Sequence, residues 1–175
     1  MLLKIAKRDI RPRLLPLVLS AGVILADQVV KLVVSLVIER GKWVPVIGDF
    51  FRIGHVRNTA IGFSIGRSLA AGTQRTLFFF LPLAVTVIIL LYYLLTRDPL
   101  TRFQRWTMTA LIGGGFGNWV DRIFRPDGVV DFLDFKFYGL LGMERWPTFN
   151  VADMTVVVSC ILLFISFLLP GEKKT

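Results

Sequence analysis

Thr76–Thr96 reads TLFFFLPLAVTVIILLYYLLT, an apolar run without one charged residue. A bilayer core takes ~20 mostly apolar helical residues to cross, so this stretch predicts a membrane-spanning helix. Pro82 lies within it, and membrane helices tolerate proline because neighbouring groups satisfy the freed carbonyl. The rest of the chain agrees: 54% of its 175 residues are hydrophobic, and mean hydropathy is +0.65. A soluble domain of this length rarely carries so much apolar surface.

Outward from that run, three further stretches reach membrane length, each only by including or abutting a charge. Leu14–Ala26 is uncharged, then Asp27 and Lys31 intrude before apolar character resumes through Ile38. Trp106–Val120 is uncharged until Asp121 and Arg122, and Met154–Gly171 is uncharged with Asp153 at its start. The expectation is one domain of four spans, at about 14–38, 76–96, 106–124 and 152–170. A charge at such depth costs about 2.5 kcal/mol or more, so these residues face the bundle interior and mark function. The first span has the outline of a secretory signal, but Asp27 and Lys31 stand where a cleavage region belongs, so it reads as retained.

The net charge of +9 is explained by orientation rather than by nucleic acid, since basic residues flank apolar segments and no groove-reading motif is present. Met1–Arg13 holds five Lys/Arg, Thr96–Arg105 three, and the tail Lys173 and Lys174. Glu39–Arg75 and Arg122–Ala152 carry ten over more than twice the length. Density therefore puts both termini in the cytoplasm, with Trp43, Trp119 and Trp146 near the outer interface. In the first outer segment, Trp43–Ile47 and Phe51–Arg57 flank the turn signal Gly48-Asp49 and predict a small β-like element at the membrane surface. Gly66–Arg75 reads as a polar stretch leading into the second span. The fold class expected is all-α integral membrane, four helices with this β-like element and a short outer helix.

Six of the twelve acidic residues fall between Asp121 and Asp153, at the outer face of this topology. His55 is the one histidine and Cys160 the one cysteine, so neither a Ser/His/Asp triad nor metal-ligand spacing is available. Gly113-Gly114-Gly115 and Gly117 lack the lysine and strand context of a nucleotide loop and read as close helix packing. Paired carboxylates remain. Two held close share one proton, so one can act as base toward water while the other protonates the tetrahedral oxygen or the leaving amine. This permits an aspartyl hydrolase without requiring one. Intramembrane carboxylates also build proton-coupled transporters, and a non-catalytic scaffold is a further alternative. Transporters, however, set such groups near the midplane in repeated halves, and no repeat is visible here.

Gly117-Asn118-Trp119-Val120-Asp121-Arg122 closes the third span, Val129-Val130-Asp131-Phe132 follows, and Phe149-Asn150-Val151-Ala152-Asp153 opens the fourth. With Asp27-Gln28-Val29-Val30-Lys31 in the first span and Arg57-Asn58 followed by Phe63-Ser64, this order resembles the lipoprotein signal peptidase (type II) family along nearly the whole chain. The resemblance implies a membrane aspartic endopeptidase of the bacterial inner membrane. Its substrates are diacylglyceryl-modified prolipoproteins, cut just before the lipidated cysteine at the outer face. It needs no cofactor or metal, and it works as a monomer among membrane lipids. It implies Asp131 and Asp153 as the catalytic pair, with Asp27, Lys31, Asn58, Asn118, Asp121, Arg122 and Asn150 as substrate-binding or site-supporting residues. The chain departs from the family's small residues after the loop asparagine, with Thr59-Ala60-Ile61-Gly62 there. The Arg125-Pro126-Asp127-Gly128 connection is also slightly long.

Plain structural roles are expected alongside. Asn150 and Asp153 have capping-box spacing. Asp27 and Lys31, at i and i+4, can neutralise each other, and Asp121 with Arg122 reads as a structural pair. Asp127, Asp134 and Glu144 read as solvated, and His55 and Cys160 as packing residues.

Overall fold

The structure, a computed structural model, describes residues 11–59, 71–96 and 99–168. In chain order it holds α1 (Arg11–Leu14), α2 (Leu17–Val37), β1 (Trp43–Ile47), β2 (Phe51–Asn58), α3 (Ala71–Leu95), α4 (Arg102–Phe124), β3 (Val129–Phe135), a 3₁₀ turn (Leu140–Gly142) and α5 (Val151–Leu168). The expected first span is thus two pieces, broken at Pro16, whose ring cannot continue the ladder. The expected third span begins earlier, at Arg102, where Thr101 and Gln104 form a capping box.

Three helical stretches, Leu17–Val37, Thr76–Leu95 and Val151–Leu168, are long and apolar enough to cross a membrane. The fourth long helix, α4, is less apolar for a physical reason. It packs against α2, α3 and α5, so it turns Gln104, Thr107, Thr109, Gly113, Gly114, Gly117 and Asp121 into the interior. The outer helices instead expose Leu25, Leu36, Ile88 and Phe164 over more than half their surface, the distribution lipid favours. Small residues let α4 approach its neighbours. A Cβ on Gly113 would stand 2.9 Å from the Ser20 backbone, and one on Gly114 only 2.7 Å from the Ala152 carbonyl oxygen. At the far end, Arg13 donates to the Tyr93 and Thr96 carbonyls while the Tyr93 hydroxyl donates to the Arg13 carbonyl. These bonds satisfy carbonyls that the end of α3 leaves open.

The fold is not all-α. A three-stranded antiparallel sheet, ordered β1-β2-β3, covers one end of the bundle. The hairpin across Gly48-Asp49 is as expected, with Gly48 in the left-handed region (φ 49°). The third strand was not expected. Val129–Phe135 pairs with β2 along its length, setting Asp131 opposite Val56 and Val129 opposite Asn58. Its β-branched and aromatic residues, Val129, Val130, Phe132 and Phe135, carry the strand signal. Beneath it, Val130 and Phe132 pack on Val34 of α2, joining sheet to bundle. No short outer helix stands among the described residues beyond the 3₁₀ turn, where Leu141 is left-handed (φ 57°). Most of the expected polar stretch before the second span lies outside the described residues.

Candidate active site

Asp131 and Asp153 arrive at the site from different kinds of element. Asp153 stands in the first turn of α5, where Asn150 caps the helix. The Asp153 amide donates to Asn150 Oδ1 at 2.9 Å, and the Asn150 amide donates to Asp153 Oδ2 at 3.2 Å, so the capping box is real. Asp131 lies mid-strand in β3, 2% exposed, rather than at the end of a span. The residue types around it explain the placement: Val130 and Phe132 fill the space toward α2, which turns Asp131 to the opposite face.

The asparagines join the two carboxylates. Asn58 Nδ2 donates to Asp131 Oδ2 (2.8 Å), and Asn150 Nδ2 donates to Asp131 Oδ1 (2.7 Å). Asn118 Nδ2 donates to Asp153 Oδ1 (2.6 Å), while its Oδ1 accepts from Asn150 Nδ2 (3.0 Å) and from Lys31 Nζ (2.9 Å). Each aspartate is thus held by amides that cannot themselves ionise. Burial first, then the charge of nearby Asp153, push the Asp131 carboxyl up to about 7, against the Asn58 and Asn150 hydrogen bonds and the charge of Lys31. A carboxyl near neutrality can hold a proton or release it during a reaction, which general acid–base work requires.

Both aspartates line a cavity of about 410 Å³ with Asn58, Asn118 and Arg122. Apart from Thr148, its remaining wall is apolar: Val129, Trp146, Pro147 and Phe149 from the sheet side, and Met154 and Val156–Val158 along α5. Arg122 does not pair with Asp121 as expected. It donates from Nη1 to the Asn118 carbonyl (2.8 Å) and lies 4.2 Å from the Phe78 ring centroid, leaving its buried Nε without a partner among the described residues. A helical turn of 100° per residue separates it from Asp121, which faces α2 instead.

There, Lys31 Nζ stands 2.7 Å from Asp27 Oδ2 and 3.0 Å from Asp121 Oδ2, all three side chains fully buried. The Asp27–Lys31 pairing is as expected; Asp121 joins it, and also takes Arg125. Gln28 completes the group, donating to Asp121 Oδ1 (2.9 Å) and accepting from Arg125 Nη1 (2.8 Å). Neither Gln28 nor Arg125 was among the expected site residues, although Arg125 lies i+4 from Asp121. Asp134, expected to be solvated, is 3% exposed and bridged by Arg52 (2.6 Å) and Arg145 (2.7 Å). Asp127 and Glu144 are exposed as expected, His55 is buried as a packing residue, and Cys160 is exposed on the bundle's outer surface rather than packed. Phe63 and Ser64 lie outside the described residues. Among the described residues no three His, Cys, Asp or Glu side chains form a metal-ligating group.

The family model described as signal peptidase (SPase) II matches residues 19–169. The lipoprotein signal peptidase of Treponema denticola is 44% identical over 160 residues, covering 91% of this chain and 92% of that protein. That of Treponema pallidum is 41% identical, covering 88% and 83%. Two solved bacterial membrane enzyme structures superpose with TM-scores of 0.73 at 25% and 26% identity, each covering about nine-tenths of both chains.

Proposed function

The chain belongs to the signal peptidase II family, and we propose that Asp131 and Asp153 are the aspartyl dyad with which it works. It removes signal peptides from diacylglyceryl-modified prolipoproteins, cutting just before the lipidated cysteine. The observation that carries the dyad is the amide chain Asn58–Asp131–Asn150–Asn118–Asp153, which holds the buried Asp131 and the half-buried Asp153 on one cavity. The pair shares a proton. One carboxylate takes a proton from the attacking water; the other protonates the tetrahedral oxygen or the departing amine. The site asks for no metal or cofactor.

The apolar wall formed by Met154 and Val156–Val158 gives the signal peptide a bed along α5, where a membrane-embedded segment presents its end to the dyad. The unpartnered Arg122 Nε is a donor for a substrate backbone carbonyl. In this reading α4 is the fourth span, both termini are cytoplasmic, and the active site opens at the outer face of the bacterial cytoplasmic membrane. The protein acts as a monomer in contact with membrane lipids. The test is a gel-shift cleavage assay with purified full chain in detergent and a diacylglyceryl-modified prolipoprotein. Asp131→Asn and Asp153→Asn, each folded by size-exclusion and circular dichroism, lose at least ~100-fold in rate. Retained cleavage in either removes that residue from the mechanism.

A further inference from the structure

The ion cluster behind the dyad reaches both aspartates by the same device. Asp27 Oδ1 accepts from the backbone N–H of Ala152 at 2.9 Å, and Ala152 immediately precedes Asp153. Asp121 Oδ2 accepts from the backbone N–H of Val130 at 3.0 Å, and Val130 immediately precedes Asp131. Lys31 ties these two carboxylates together, and its remaining contact goes to Asn118 Oδ1 at 2.9 Å. An ammonium has three protons, and here three acceptors take them. Because Lys31 donates to Asn118 Oδ1, the amide must turn its Nδ2 toward Asp153. The fit is close: a Cβ on Gly117 would stand 3.1 Å from Asp27 Oδ2 and 3.3 Å from Ala152 Cβ.

We propose that Asp27, Lys31 and Asp121 form a positioning clamp, in which Lys31 fixes the separation of the backbones that carry Asp131 and Asp153 and sets the orientation of Asn118 between them. The proposal rests on the dyad reading above. Its physical ground is that a buried ion cluster is poor value as stabilisation alone, since well-packed apolar residues commonly replace one without loss. What apolar residues cannot supply is a directed acceptor for one N–H on a strand and another on a helix. Neither Asp27 nor Asp121 touches the cavity; they act through the backbone beside the dyad.

The experiment uses the purified full chain in detergent with the same lipidated substrate, measuring kcat, KM and the pH–rate profile per folded molecule. Lys31→Met loses kcat by ~100-fold, the effect of an ångström of misplacement, with KM changed less than ~threefold. Its alkaline limb moves to higher pH. Lys31 and Asp27 of α2 and Asp121 and Arg122 of α4 are the charges around the dyad, and removing Lys31 takes away a cation that draws Asp131 down. Should Lys31→Met not fold, the paired replacements decide. Asp27→Asn and Asp121→Asn keep an acceptor for the backbone N–H and leave Lys31 one carboxylate partner, so each retains at least ~tenfold more kcat than the matching Ala variant. A folded Lys31→Met with wild-type kcat and pH profile, or Asn and Ala variants of equal kcat, overturns the clamp. If Asp131→Asn or Asp153→Asn still cleaves, it is the dyad that fails, whatever the clamp variants do.

Discussion

Two charge clusters sit in this molecule and do different work. Behind Asp131 and Asp153, Asp27, Lys31 and Asp121 are fully buried, and the two carboxylates accept from backbone N–H groups as well as from Lys31. On the sheet, Arg52, Asp134, Lys136, Arg145 and Asp49 run from buried Asp134 out to the open Asp49, whose side chain is 57% exposed. The second cluster ties the β1–β2 turn to the loop after β3: Arg145 donates to Asp134 and to the Asp49 carbonyl. Water reaches its edge, so losing one member exposes charge to solvent rather than to hydrocarbon. In the inner cluster the three side chains are closed off from solvent, so losing one leaves its partners buried and unpaired. The same residue types thus set atomic positions in one place and join loops in the other, and the difference is solvent access.

The largest break in this comparison is expected from Asp27→Ala against Arg145→Ala. Removing a partner from the buried cluster costs about 3–5 kcal/mol in chemical denaturation, and removing Arg145 about 1 kcal/mol or less. Equal losses would erase the distinction. Next comes the pH dependence of stability. The folded Asp131 carboxyl sits near 7, above its unfolded value, so the folded state binds the extra proton. Its contribution to stability is present below pH ~4 and is lost as pH rises through 7. Asp131→Asn therefore raises the unfolding midpoint relative to wild type increasingly from pH 4 to above 7, with a ceiling of about 4 kcal/mol. A flat difference across that range would show the carboxyl to be unstrained.

A smaller effect separates the buried from the open end of the sheet cluster. Asp134→Ala leaves Arg52 and Arg145 without their shared acceptor and costs about 1–3 kcal/mol, with kcat retained on folded protein. A collapse of kcat would mean the sheet cluster also positions the dyad. Smallest of all is Asp49→Ala. Lys136 holds the Asp49 carboxyl below the usual carboxylate range, yet the residue is open to water. The expected change in midpoint is on the order of a degree and shrinks further in high salt.

What could be read from the chain follows the range of each interaction. Asp27 with Lys31, Asn150 with Asp153, and the Gly48-Asp49 turn are separated by a few residues, so helical or hairpin geometry alone brings them together. The expected Asp121–Arg122 pair does not form, because neighbours on a helix point in different directions; Asp121 meets Lys31 and Arg122 lines the cavity. Asp134, expected to be solvated, is buried instead. Its burial comes from Arg52, 82 residues away, and from the hairpin that returns Arg145.

The sequence by itself determined that this is a membrane protein of the signal peptidase II kind, which residues are charged where charge is costly, and which turns and caps must form. The family rests on the resemblance of its motifs; the membrane character, the costly charges, the turns and the caps depend on composition and short spacings. Tertiary structure alone decided that Asp131 rides on a third strand, that two asparagines, Asn150 and Asn118, link it to Asp153, and that Lys31 closes a cluster with Asp121 across the bundle. Such contacts join residues far apart in the chain. Only the packing of α4 against α2 and α5, through glycines that admit close approach, brings their partners within bonding distance.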